Sequence, residues 1–163
     1  MTTRARDQQG FALIEMLVAI VVINVGLLAI LLALNSGMVT LRRSAETSTA
    51  SAVADQQLER FRARTYDAIY LDTTSLAATD STYQSDAAYS VTQVNQICSP
   101  LVAACTPSQV VTGPDGRSYR VDTYIVLVIP AGGTAVKQIT VVVRKPGVTA
   151  TLARVTSTAG ADF

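Results

Sequence analysis

Hydrophobic residues are concentrated in one long run near the N-terminus of the chain. Residues 1–10 are polar, whereas residues 11–34 are apolar apart from Glu15 and Asn24. A helix needs about 20 apolar residues to cross the hydrocarbon core of a bilayer, and this run is longer than that. It also exceeds the roughly 7 to 15 apolar residues of a cleaved secretory signal. The pattern therefore predicts a transmembrane helix over residues 11–41 that is retained in the protein.

The helix is predicted to continue past the membrane as an amphipathic segment over residues 42–70. From residue 44 this segment has neither proline nor glycine, and it is rich in helix-forming residues. Its apolar positions share one face of a helix; they are Ala54, Leu58, Phe61 and Ile69. A small domain can pack against that face.

The last third of the chain has the alternating pattern of β-strands. Residues 119–129 are rich in β-branched and aromatic side chains, and their odd-numbered positions share one face: Tyr119, Val121, Thr123, Ile125, Leu127 and Ile129. Arg120 and Asp122 point to the other face. Residues 136–144 repeat this pattern, and residues 148–156 are predicted to return as the third strand of an antiparallel meander.

Residues 71–163 are thus expected to form the globular part of the chain, with a variable region followed by the sheet. Residues 72–118 have weak periodicity, which predicts a long connecting region with one strand near residues 89–94. The predicted fold class is α+β, with the long N-terminal helix packed against a small antiparallel β-sheet.

Composition argues against several classes of function. The chain has 13 basic and 12 acidic residues and a net charge of +1, so no broad electrostatic field would attract nucleic acid. Histidine, the commonest general acid-base residue and metal ligand, is absent. We therefore expect no enzyme, no metal site and no cofactor. Arg60, Arg62 and Arg64 are expected to lie on a solvated or intersubunit face of the helix rather than to bind DNA.

A motif spans the junction between the polar N-terminus and the apolar run. It reads Gln9-Gly10-Phe11-Ala12-Leu13-Ile14-Glu15-Met16-Leu17, in which a glycine precedes an aromatic residue, three apolar residues, an acidic residue and a long apolar helix. This arrangement resembles the signal of the type IV pilin-like (prepilin) family. The resemblance implies a type IV pilin-like fold, cleavage by a membrane-embedded prepilin peptidase between Gly10 and Phe11, and N-methylation of Phe11. Residues 1–10 would then be the leader peptide.

Glu15 is the acidic residue of this motif, and its position in an apolar helix is costly. A carboxylate facing lipid costs about 2 kcal/mol or more, so such residues usually have a partner and a function. Cleavage would expose the α-amine of Phe11 one helical turn away, on the same chain or on a neighbour. By resemblance to pilins, Glu15 is expected to select and register an incoming subunit during assembly. The alternative is that Glu15 lies at the membrane edge and reaches the lipid headgroups.

The membrane helix departs from that of many major pilins because it contains no proline; the first proline of the chain is Pro100. Asn24 and Gly26 are its weak points, through low helix propensity and backbone freedom. Two interpretations stay open: these residues loosen the helix during filament packing, or they assist helix packing in lipid.

The two cysteines, Cys98 and Cys105, enclose a short segment. If the globular part lies outside the cytoplasm, we expect a disulfide between them, because oxidising compartments favour it and small domains gain stability from a cross-link. The alternative is a pair of buried thiols. In major pilins a disulfide typically bounds a loop near the C-terminus, whereas this pair precedes the strands.

These features favour a minor type IV pilin, similar to the pilus-modification (PilV) type, that is assembled into a pilus filament or primes one. The first alternative is a minor pseudopilin of a type II secretion system, and the second is a single-pass membrane-anchored binding protein that does not polymerise. The expected partners are other pilin or pseudopilin subunits, prepilin peptidase, the inner-membrane assembly platform and membrane lipid.

The expected location is the bacterial inner membrane, with the C-terminal domain outside the cytoplasm, and then the pilus or pseudopilus. Flanking charge does not decide this orientation, because Arg4 and Arg6 on one side are matched by Arg42 and Arg43 on the other.

Overall fold

The computed structural model describes residues 8–74, 80–98 and 105–161, with side chains from Leu13 onward. The chain divides into two compact units, Met1–Ser44 and Ala45–Phe163. A long helix, α1, extends over Gln8–Arg62 and contributes to both units. The second unit also contains a 3-10 turn, a short helix α2 and four strands.

Helix α1 ends at Arg62, so the predicted amphipathic segment over residues 42–70 is wrong at its C-terminal boundary. Thr65 has extended backbone angles and precedes the 3-10 turn Tyr66–Ala68. Lys137 Nζ donates to the Tyr66 and Ile69 carbonyl oxygens at 2.7 and 2.9 Å. These long-range bonds hold the chain as it leaves the helix, and they outweigh the local helix propensity on which the prediction rested.

Four strands form one antiparallel sheet in the order β1-β2-β3-β4; they are Ser108–Thr112, Ser118–Val128, Val136–Arg144 and Thr151–Gly160. The three predicted strands are confirmed as β2, β3 and β4. Strand β1 lies within the region that we expected to be a connection. Gly116 and Gly147 have φ angles of 73° and 74° in the turns before β2 and β4, a conformation that glycine adopts without the clash of a side chain.

The main core of the second unit lies between α1 and one face of the sheet. The helix contributes Ala50, Val53, Ala54, Leu58 and Phe61, and strands β2 and β3 contribute Tyr119, Val121, Ile125, Ile139, Val141 and Val143. All four apolar positions predicted to face a small domain, including Ile69, are buried. Leu127 and Ile129, which were predicted to share one face with the buried Tyr119, Val121 and Ile125, are 45% and 70% exposed because they lie at the turn that follows β2. The predicted α+β fold is confirmed.

The other face of the sheet is also covered. Helix α2, Ser81–Gln84, contributes Tyr83, which is buried together with Tyr124 of β2 and Val142 of β3. The Tyr83 and Tyr124 rings stack with their centroids 4.4 Å apart, and the Tyr83 hydroxyl donates to the Thr123 carbonyl oxygen at 2.7 Å. The segment that contains α2 is therefore fixed to the sheet.

The strand predicted near residues 89–94 is wrong. The chain turns there, and isolated bridges join Gln93 to Val126 of β2 and Asn95 to Leu71, which lies outside the four strands. The Tyr89 ring packs edge-on against Tyr83, with centroids 5.9 Å apart. Side-chain packing and isolated backbone bonds, such as that from the Val94 N–H to the Ile125 carbonyl oxygen at 2.8 Å, hold this segment on the sheet in place of a continuous ladder.

Candidate functional site at the N-terminal helix

The apolar part of α1 exposes its side chains on every side. Every residue from 13 to 45 is exposed, and none of the most apolar window is buried within the chain. The helix is long and apolar enough to cross a membrane. An all-round apolar surface is stable in lipid or among other apolar helices and is unfavourable in water. This part of the helix therefore requires surroundings that the described part of the chain does not supply.

Glu15 lies on this exposed apolar surface. Gly10 and Phe11 belong to the backbone of α1, which begins at Gln8; the Phe11 side chain and the leader residues 1–7 lie outside the described residues. Because Glu15 follows Phe11 by four positions, the two share one helical face, one turn apart. The helix thus aligns the predicted assembly residue with the backbone nitrogen that cleavage would turn into an amine.

Asn24 satisfies its polar group within the helix. Its Nδ2 donates to the Ile20 carbonyl oxygen at 2.8 Å, which is how a polar side chain is tolerated in an apolar span. Among the described residues nothing lies within 4 Å of a Cβ added at Gly26, so none of their side chains fills the space beside it. Helix α1 continues through both positions without a break.

The structure confirms the predicted disulfide between Cys98 and Cys105, whose Cα atoms lie 6.5 Å apart, so the alternative of two buried thiols is wrong. Asp72 holds both ends of this cross-link. Its Oδ2 accepts from the Cys98 amide at 3.0 Å, and its own amide donates to the Cys105 carbonyl oxygen at 2.8 Å. The Cys98 N–H, and then the Thr74 hydroxyl, hold the pKa of Asp72 below its ordinary range.

A cluster of arginines and aspartates lies on the sheet face that α2 covers. We call it the ion-pair cluster, and its members are Asp80, Asp86, Arg120, Asp122, Arg144 and Arg154. Arg144 bonds to both Asp86 and Asp122, and Arg120 Nε donates to Asp122 at 2.8 Å. Every carboxylate of the cluster is paired with an arginine. Removal of one partner would therefore leave a buried charge uncompensated, and the cluster presents no unpaired acid for chemistry.

Sequence reasoning missed this cluster. Arg120 and Asp122 were assigned to the polar face of β2, yet Asp122 is fully buried. Tyr124 follows on the same face, and a large ring beside two charges was the signal that this face is covered. Burial alone would raise the pKa of Asp80, but the Tyr83 N–H and Arg120 outweigh it and lower that pKa. Charge pairing thus offsets the desolvation of the covered face.

Arg60 and Arg62 lie in the last turn of α1, whereas Arg64, predicted on the same helix, lies two residues beyond its end. All three have acceptors within the chain. The bonds run from Arg60 to Gln57 at 3.1 Å, from Arg62 to Glu59 at 2.6 Å and from Arg64 to the Ala68 carbonyl oxygen at 3.2 Å. These short-range bonds hold the three arginine side chains against groups within four residues of each.

Residues 5–31 match the family described as the prokaryotic N-terminal methylation motif. The matched segment contains Gly10, Phe11 and Glu15, the residues on which the resemblance rested. Comparison with curated proteins and with solved structures gave no significant match. The chain therefore carries the type IV prepilin-like signal at its N-terminus, and this signal indicates a pilin-like or pseudopilin-like precursor.

Proposed function

We propose that the chain is a minor type IV pilin or pilin-like subunit that is assembled into, or primes, a pilus filament. Prepilin peptidase removes residues 1–10, and the new N-terminus at Phe11 is methylated. The protein is then held in the inner membrane by α1 until the assembly platform adds it to other subunits. Its role is mechanical, so we expect no catalytic residue in it.

The observation that carries this proposal is the position of Glu15 on a fully exposed apolar helix. Within the described side chains, Glu15 has no cationic partner at ion-pair distance. A filament core of packed apolar helices would cover the apolar surface, and the α-amine of a neighbouring Phe11 would neutralise the carboxylate. Assembly of subunits would thus both cover the apolar surface of the helix and neutralise the Glu15 carboxylate.

The disulfide supports a C-terminal domain outside the cytoplasm. Disulfides persist in oxidising compartments and are rare in the reducing cytoplasm. The bond between Cys98 and Cys105 belongs to the unit Ala45–Phe163. We therefore assign that unit to the periplasmic or cell-surface side and residues 1–10 to the cytoplasmic side.

The first test is the mass of the mature N-terminus, measured on protein from cells with an active prepilin peptidase. The proposal expects a chain that begins with methylated Phe11. A mature chain that keeps the leader and begins at Met1 or Thr2 would overturn it in favour of a membrane-anchored protein that does not polymerise.

The second test removes the charge of Glu15 and keeps its size, in Glu15→Gln. We expect normal membrane insertion and leader removal, with about tenfold less subunit in sheared filaments, because loss of one pairing in a low-dielectric site has that order of effect. Thr40→Val is the matched control, since Thr40 bonds to the Ser36 carbonyl oxygen of its own helix. Equal incorporation of Glu15→Gln and wild type would contradict the pairing.

A minor pseudopilin of a type II secretion system would be processed in the same way. Deletion of the gene separates the two assignments. Loss of piliation with normal secretion supports the pilin, whereas loss of secretion with normal piliation assigns the chain to the secretion apparatus.

A further inference from the structure

Strand β4 has an open outer edge. It pairs with β3 on one side, and among the described residues no other element bonds to the backbone of Thr151–Gly160. The row of N–H and C=O groups on the outer side is therefore available. An unpaired edge of this kind is a template for a further strand.

The edge of β4 lacks most of the features by which proteins protect such edges. It is ten residues long, contains no proline or lysine, and carries Arg154 as its single charged side chain. Its register shift lies near its start, opposite Val143 and Arg144. The opposite edge, β1, is half as long and is flanked by Pro107 and Pro114. Strand β1 is thus better protected than β4 against the addition of a further strand, and β4 is the edge at which a partner strand fits.

A cleft of about 200 Å³ opens beside the second half of this edge. One wall comes from the end of α1 and the turn after it, with Phe61, Arg62, Arg64, Tyr66 and Ile69; the other is formed by Ile139 of β3 and residues 157–160 of β4. The β4 residues are small, so space remains between this strand and the helix. Alternate side chains of an added strand would point into this space.

The charge of the cleft selects the partner. Arg62 pairs with the exposed Glu59, whereas Arg64 has no carboxylate within ion-pair distance among the described residues. Arg64 lies over the Phe61 ring at 5.9 Å and gives one hydrogen bond to Ala68. A guanidinium offers five N–H donors in a fork that fits a carboxylate, so Arg64 can accept an acidic partner without losing its present contacts.

A second copy of the chain fits this cleft poorly. Pairing of β4 with itself would give Arg64 no carboxylate, because Arg154 is the single charged side chain of that strand. Strand β1, the other free edge, contains no charged residue. We propose that the β4 edge and its cleft bind an extended, acidic segment of another protein, which adds to the sheet as a fifth strand. This inference does not depend on leader cleavage or polymerisation.

The test uses the full chain in detergent micelles and two fluorescent eight-residue peptides. Both alternate threonine and valine; one has a central aspartate and the other a central lysine. We expect the aspartate peptide to bind about fivefold more tightly, the range of a partly exposed ion pair. It should also slow amide hydrogen exchange within residues 151–160. Equal binding of the two peptides, or no binding, would overturn the inference.

Two variants and a control make the test specific to the cleft. Arg64→Gln should abolish the preference for aspartate, and Ser157→Tyr, which fills the cleft, should weaken both peptides. Arg42→Gln removes the same charge from a residue that does not line the cleft, and it should bind like wild type. A concentration-dependent dimer with cross-links between two β4 strands would show instead that a second copy occupies the edge.

Discussion

Arg144 is the residue on which the ion-pair cluster depends most, and Arg144→Met tests that dependence. The substitution keeps most of the side-chain volume and removes the charge that faces Asp86 and Asp122. The two carboxylates are buried, with side-chain exposures of 3% and 0%. Water therefore cannot replace the missing guanidinium, and both anions lose a neutralising partner.

The structure sets the size of the effect. Breaking a buried ion pair by removing one partner costs about 3 to 5 kcal/mol. Here each carboxylate keeps a second arginine, since Arg120 lies 2.8 Å from Asp122 and Arg154 lies 2.8 Å from Asp86. We therefore expect a loss near the lower end, about 3 kcal/mol in the free energy of unfolding. At a typical slope this lowers the urea midpoint by about 2 M.

The assay is urea unfolding of the full chain in micelles, followed by the near-UV circular dichroism of tyrosine. The stacked rings of Tyr83 and Tyr124 lie beside the cluster and report its packing. Arg117→Met is the matched control, because the Arg117 side chain is 53% exposed and its partner Glu46 also pairs with Lys145. The control should lose at most about 1 kcal/mol. Equal losses in the two variants would refute the view that the buried cluster fixes the α2 segment to the sheet.

Two further predictions concern the disulfide and acid. Reduction of the bond between Cys98 and Cys105 should lower the free energy of unfolding by about 2 kcal/mol, the chain-entropy value for so short a loop. The Cys98→Ser, Cys105→Ser double variant is the control and should be insensitive to reductant. Equal stability of the oxidised and reduced wild type would contradict this prediction. Because the pKa of Asp72 lies below its ordinary 3.8 in the folded state, its ionised form adds stability above that pH, and the stability is lost as the pH falls through the folded value. The free energy of unfolding, measured by urea titration, should therefore fall as the pH is lowered below about 4. The fall should be less steep in Asp72→Asn than in wild type. A free energy of unfolding that rises on acidification would be inconsistent with the lowered pKa of Asp72.

The sequence was sufficient for the elements whose pattern is set locally. The membrane-type helix follows from an uninterrupted apolar run, and β2 and β3 follow from alternation over nine or more residues. The burial of Leu58 and Phe61 follows from helical spacing. In β2, β3 and the second half of α1 the residue types that favour the element also supply its buried face, so propensity and burial predict the same structure.

The missed features depend on contacts between distant parts of the chain. Helix α1 ends where Lys137, far along the sequence, bonds to the carbonyl oxygens that follow the helix. The covered second face of β2 depends on Asp86 and Tyr83, which come from a segment with little periodicity of its own. An alternating pattern cannot distinguish a solvated polar face from one on which charges are paired across 22 residues or more.

Asp122 and Glu15 differ in the step at which their carboxylates are neutralised, which is folding for Asp122 and, under the proposed function, subunit assembly for Glu15. Asp122 is fully buried and is neutralised by Arg120 and Arg144 of its own sheet, so its pairing is complete when the domain folds. Glu15 lies on an apolar surface that the chain leaves exposed, and no described side chain neutralises it. A carboxylate at that position becomes favourable when a cation and apolar neighbours arrive together. Under the proposed function, an amine at Phe11 of an adjacent helix would bring both, so we expect cleavage before Phe11 to precede stable packing of this helix against others.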